Sequence, residues 1–419
     1  MRIHLNLSKA RVSSDVRAQY IERAQGIASG LFNDDEPMTG WVNLPNGDLS
    51  ELIDSINETA DKVRSICDTF VVIGIGGSYL GAAAVLDAVG GPREGCPEIL
   101  FAGQNLSGPY MMNVLNVVRN RDVCLCVVSK SGTTMETSIA FEILKAEMES
   151  KYGDGASDRI ICITDPEKGN LRKLGTEKGY AMFDIPDNIG GRYSSFTPAT
   201  LIPLAVAGLR IDRFLEGAKE IANEKFWVTG GLRYALNRYS LLNRGKEIEI
   251  FEYYNPQMEK LGEWMKQLFG ESEGKEGRGL FPVSLTFPTD LHSIGQYLQE
   301  GKQIFFETVI NISNWKDDVY IPESIEIEGL GGRSLNEVSQ IALKGVVLAH
   351  SKVDIPIIQI DVDTNSEYSI GQLLYFMMMT AAITGKLMRI DPFTQDGVEK
   401  YKAEITSILT TRFETVDGD

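Results

Sequence analysis

This sequence is short of the residue types that most often announce a function. Of its 419 residues only three are histidine and five are cysteine. An odd cysteine count with no paired Cys/His spacing supports neither a disulfide framework nor a metal site such as a zinc centre. Cys124 and Cys126 stand two apart in the apolar run 123–128, the spacing that puts both on one strand face as packing. A reducing cytoplasm is the expected compartment. Basic residues are also scarce, since 41 Lys and Arg against 58 Asp and Glu leave a formal charge of −17. Nucleic acid and anionic membranes are therefore poor partners. Residues 1–30 hold no basic stretch followed by an apolar core, so no signal peptide is expected. The most apolar helical run, 373–383, is too short to span a bilayer and reads as a buried core helix.

What is present is a chain long enough for two full hydrophobic cores. From residue 69 onward short apolar runs alternate with helical patterns. Runs at 70–75, 99–102, 123–128, 160–164 and 181–185 read as strands, with helices at 80–89, 135–152 and 170–178 between them. A second cycle has strands at 248–253, 283–287, 304–309 and 357–360, with helices at 258–269 and 335–351. That alternation predicts an α/β fold of two doubly wound parallel-sheet sandwiches. The division is placed near residue 205, giving 1–205 with an N-terminal helical segment and 206–419 with a C-terminal helix at about 398–413. Residues 316–333, rich in Pro, Gly and acids, are expected to leave the sheet.

Two loops suit an anion. Gly74-Ile75-Gly76-Gly77-Ser78 follows a strand and opens a helix, so backbone N–H groups such as that of Gly77 and the Ser78 hydroxyl can face a phosphate. A plain tight turn needs the same small residues. A dinucleotide reading fails because Tyr79 stands where the third glycine would be, and no Walker lysine motif occurs. Ser129-Lys130-Ser131-Gly132-Thr133-Thr134 carries four hydroxyls at a helix start, more than one N-cap uses. Two such turns on one sheet fit a single ligand at the strand ends.

Acid/base candidates follow. Arg192, after Gly190-Gly191, offers a rigid cationic fork to a developing oxyanion, or a simple salt bridge. Glu271 closes a helical pattern and suits a general base. Among the three histidines His292, in Thr289-Asp290-Leu291-His292, is a better candidate than His4 or His350. Lys402 alone would read as surface charge.

Taken together these residues resemble the glucose-6-phosphate isomerase (phosphoglucose isomerase) family, most of all its shorter bacterial branch. Four blocks carry the likeness, namely 70–80 around GIGGS, 127–137 with SKSGTTMET, 190–198 with GGRYSSFTP, and 270–301 from GESEGK to FPTDLHSIGQYLQEG. A fifth, 391–399, is weaker, with Asp391, Thr394 and Asp396 departing from the usual pattern. The resemblance implies two SIS-type (sugar-isomerase) sandwiches and reversible isomerisation of glucose 6-phosphate and fructose 6-phosphate, with no cofactor. It implies that Gly77, Ser78, Ser129, Lys130, Ser131 and Thr134 hold the phosphate of the hexose substrate, and that Glu271 shuttles a proton between C2 and C1. Arg192 would stabilise the enediolate. His292 and Lys402 would open the ring, with Gln395 nearby and Lys400 the alternative lysine. The family's histidine arrives from a neighbouring subunit, which implies a homodimer. A non-catalytic sugar-phosphate-binding protein of this fold and an isomerase that also takes mannose 6-phosphate are the alternatives.

Overall fold

The computed structural model describes residues 3–33 and 36–414. Ten strands form two sheets: β1 (Ile3–Asn6), β2 (Thr69–Ile73), β3 (Glu98–Ala102), β4 (Val123–Val128), β5 (Ile160–Thr164), β6 (Ala181–Asp184), β7 (Ile248–Tyr253), β8 (Phe281–Thr286), β9 (Phe305–Asn314) and β10 (Ile357–Thr364). The first sheet runs β3-β2-β4-β5-β6 and is parallel throughout. Its strands are continuous apolar runs because helices cover both faces. Val72, Cys124 and Cys126 point into one core layer, and Val71, Leu125 and Val127 into the other. After β2 the chain steps outward to β3, then returns and continues the other way through β4. The order therefore reverses between β2 and β4. That is where the loops 74–78 and 129–134 emerge side by side, at the strand ends where open α/β sheets bind ligands.

The second sheet runs β1-β10-β9-β7-β8. Its strands β10, β9, β7 and β8 are parallel, as expected, and an edge strand not foreseen in the sequence joins them. β1 pairs antiparallel with β10, so the first few described residues complete the second half. A four-residue strand at an edge has too few alternations to stand out in sequence. The division expected near residue 205 falls inside the helix Pro198–Val206, every residue of which is buried. One continuous apolar cluster joins Phe70 and Cys126 on the first sheet to Phe251, Ile310 and Ile358 on the second.

Two helices sit at the seam between the sheets and set the site. Gly77–Ala88 packs along Glu259–Glu273, and its Gly81 lies tight against Thr200 and Ser195 on another side. The helix Glu259–Glu273 runs one turn beyond the expected end at residue 269, passing through Gly270. The apolar run 373–383 lies within a longer helix, Glu367–Leu387. By length and composition that helix could cross a membrane, but 94% of its apolar window is buried inside this fold. Residues 316–333 form no helix or strand of their own and are tied by one bridge between Tyr320 and Ser334. The C-terminal helix spans Asp396–Glu414.

Candidate active site

A cleft of about 820 Å³ lies over the carboxyl ends of the first sheet, within the size range of small-molecule sites. It is lined by Gly77 and Ser78 after β2, by Ser129, Lys130, Ser131 and Thr134 after β4, and by Arg192, Glu271, Gln395 and Lys402. Ten of the eleven residues singled out from the sequence thus meet in one place. Three cationic residues (Lys168, Arg192 and Lys402) and two acidic ones (Asp165 and Glu271) line it, beside Lys130. The cleft is locally positive in a chain of net charge −17.

Its floor is built for an anion. The helices Gly77–Ala88 and Met135–Tyr152 both start at the cleft, leaving their first N–H groups without intrahelical acceptors. Thr134, at the cap position of the second, makes no side-chain cap bond, so its hydroxyl is not spent on the helix. Ser129 is buried and its Oγ accepts the Gly132 N–H at 3.1 Å, which curls the loop back on itself. Gly132 has φ +66°, and a Cβ there would lie 2.6 Å from the Leu171 nitrogen. Lys130 sends its ammonium away to the carbonyls of Asp187 (2.7 Å) and Ile189 (3.1 Å). Burial lowers its pKa, with Asp165 and Asp187 pulling the other way. The lysine therefore ties two loops together while its backbone lines the cleft. Gly77 lets the 190–192 turn pass directly over it, because a Cβ would run into the Gly191 carbonyl.

At the other end stands Arg192, whose side chain is only 2% exposed. All five N–H donors are used. Nε donates to Ser272 Oγ (3.0 Å), Nη1 to Gln395 Oε1 (2.8 Å) and to Glu271 Oε2 (3.4 Å), and Nη2 to the carbonyls of Pro392 (2.6 Å) and Thr394 (2.9 Å). The contact with Glu271 is the longest of the five. Glu271 stands in the last turn of Glu259–Glu273, with a side chain 31% exposed. Its second oxygen accepts from Gln267 Nε2, one helical turn earlier, at 3.3 Å. A half-open carboxylate beside a rigid guanidinium is a base next to an electrostatic partner.

Lys402 reaches the cleft from the C-terminal helix, half exposed and paired with Glu399 at 2.9 Å. Lys400 is not among the lining residues. His292 does not line the cleft of its own chain. It ends the exposed turn Thr289–His292, held by Asp290, whose carboxylate accepts the Thr286 N–H at 2.7 Å.

A family profile described as phosphoglucose isomerase matches residues 42–309. A glucose-6-phosphate isomerase of Clostridioides difficile (strain 630) is 41% identical over 94% of this chain and 92% of its own length. The chain belongs to the phosphoglucose isomerase family. Two solved structures share the fold. A hypothetical protein from Thermus thermophilus has a TM-score of 0.87 at 24% identity, covering 97% of this chain and 99% of its own. A glucose-6-phosphate isomerase from Chlamydia trachomatis has a TM-score of 0.81 at 20% identity, over 99% and 89%.

Beside the family's motifs the cleft holds residues that sequence reasoning missed. Gln267 props the Glu271 carboxylate, and Met38, Asp165, Lys168 and Gly169 complete the wall. A signal existed for part of this. Asp165-Pro166-Glu167-Lys168-Gly169 is a third turn at a strand end, where Asp165 accepts the N–H groups of Glu167 and Lys168, each at 3.0 Å. Lys275, behind Arg192, donates to the Asp391 carbonyl. Burial first and the neighbouring Arg192 charge second bring its pKa down to about 8.

Proposed function

We propose that the protein interconverts glucose 6-phosphate and fructose 6-phosphate through an enediolate. The observation that carries the proposal is the pairing, within one cleft, of hydroxyl-rich loops at two helix starts with a carboxylate lying against a buried arginine. The phosphate binds Ser78, Ser129, Ser131 and Thr134 with the loop amides. That remote binding holds the sugar's first two carbons over Glu271. Lys402 and a histidine open the ring. Glu271 then takes the proton from C2, and the electron pair moves onto the C1 oxygen. The Arg192 N–H now spent on the long contact with Glu271 turns to that oxygen. Glu271 returns the proton to C1, the O2 hydroxyl proton is lost as the C2 carbonyl forms, and the C1 oxygen is protonated. A proton has changed carbon, and no net oxidation or reduction of the molecule has occurred.

The histidine in this scheme is His292 of a neighbouring copy. Exposed on its turn and absent from its own cleft, it is available to a second chain, so the working form is a homodimer. The same reading assigns the protein to a reducing cytoplasm, consistent with four buried and one half-buried free cysteines. The test is turnover of fructose 6-phosphate in D₂O without added metal or cofactor. The reading expects glucose 6-phosphate carrying deuterium at C2 in part of the product. Binding without turnover would leave only a sugar-phosphate-binding protein.

A further inference from the structure

We propose a second site, a buried divalent-cation site formed by Glu252, Glu307 and His350 on the face of the second sheet covered by the helix Leu335–Lys352. Glu252 lies on β7 and Glu307 on its neighbour β9. In their register Ile250 faces Glu307 and Glu252 faces Val309, so the two carboxylates stand diagonally on one face. Leu335–Lys352, capped by Ser334 Oγ on the Glu337 N–H at 3.2 Å, lies over that face and brings His350 down onto it. His350 Nδ1 is 2.7 Å from Glu307 Oε1. One donor atom from each of the three residues lies within 4.8 Å of the other two. All three are at most 4% exposed.

The decisive feature is Glu252. It is fully buried, and neither carboxylate oxygen receives a hydrogen bond from any amide, hydroxyl or cation; its one side-chain contact is with the Glu307 carboxyl. Its charged neighbour is Glu307, of the same sign. The surroundings are apolar, with Ile250, Val309 and Leu343 among them. The hydroxyl of Tyr254, one residue past the end of β7, is also buried without a partner. A buried carboxylate left in this state is costly unless something positive meets it.

The opposite face of β7 shows how this fold treats the same problem when it has a cation. There Glu249 is met by Arg238 Nε at 2.7 Å and by the hydroxyls of Tyr234 and Thr308, each at 2.7 Å. On the Glu252 face no arginine or lysine does this among the described residues. A divalent ion would neutralise both carboxylates and use the imidazole. One nitrogen and several carboxylate oxygens form a donor set for Zn²⁺ or Mn²⁺ rather than for a soft metal. The three ligands come from two strands and a helix, so the ion would staple that layer together. The site is separate from the substrate cleft, none of whose lining residues it shares.

The test loads the full-length protein with Zn²⁺ or Mn²⁺ after chelator treatment, removes free metal, and measures bound metal and Tm for wild type and Glu252→Gln. The expected result is one retained ion per chain. With the ion at about a hundredfold excess over Kd, Tm should rise by roughly 3–5 °C. Glu252→Gln, which keeps the shape and removes the unpaired charge, should fold and lose both effects while isomerase turnover is unchanged. No retained ion in wild type would overturn the proposal and leave Glu252 a buried protonated acid. Equal retention in wild type and Glu252→Gln would also overturn it, placing the metal on exposed groups such as His4 and His292.

Discussion

Glu271 is positioned by its neighbours on one helix, and each is a lever. Gln267 holds one carboxylate oxygen from a turn below, and Ser272 anchors Arg192 from the next position. Two residues further on, Glu273 is fully buried and binds Arg238 at 2.5 and 3.1 Å. Arg238 also serves Glu249, so one arginine stands between two buried carboxylates, with the Phe269 ring 4.1 Å from its guanidinium. Burial, with the charge of Glu249, pushes Glu273 up to about 7 against the pull of Arg238. A carboxyl raised above its unfolded value of 4.5 contributes stability that is complete below that pH and is lost as pH rises toward 7. Unfolding free energy should therefore fall between about pH 5 and 8, by ~2 kcal/mol from this residue. Denaturant titrations of Glu273→Gln should lack that part of the slope. Arg192→Lys keeps the charge but not the fork, leaving the Pro392 and Thr394 carbonyls short of donors. Steady-state kinetics should show kcat reduced ~10²–10³-fold with little change in KM. Glu271 and Arg192 were readable from motifs. Gln267 was not, because a glutamine one turn before a base looks like any other helix-surface residue.

At the scale of elements the site depends on two loops touching. Gly77 begins one helix and Gly191 crosses directly above it. Gly77→Ala should push the 190–192 turn, and Arg192 with it, off the Glu271 helix. Stability should drop by ~1–3 kcal/mol, and kcat/KM by tenfold or more, measured on the same preparation. The strands of the first sheet were legible because buried parallel strands are unbroken apolar runs between Gly and Ser turns. The C-terminal boundary of Glu259–Glu273 was less so. Gly270 reads as a helix stop, yet Glu273 holds the last turn in place through Arg238, a residue thirty-five positions earlier in sequence. The same limit hid Glu252, Glu307 and His350, since three separated residues leave no local spacing to recognise.

At the scale of the whole molecule, β1 stitches the start of the chain into the second sheet, and a shared core joins both halves. Nothing in four residues of sequence foretold the pairing partner, which lies more than 350 positions away. The exposed His292 carries the prediction at this scale. Glu271→Gln and His292→Ala should each be inactive alone, but mixed subunits should regain about a quarter of wild-type activity, because one site in each hybrid dimer is intact. No recovery on verified hybrids would put His292 in its own chain's chemistry or outside it. The most direct test of the central claim is simpler. Isomerisation of fructose 6-phosphate by wild type should fall on the order of a thousandfold or more in Glu271→Gln, with the variant still binding the sugar phosphate. A variant that turns over at near wild-type rate would contradict the assignment of Glu271 as the base.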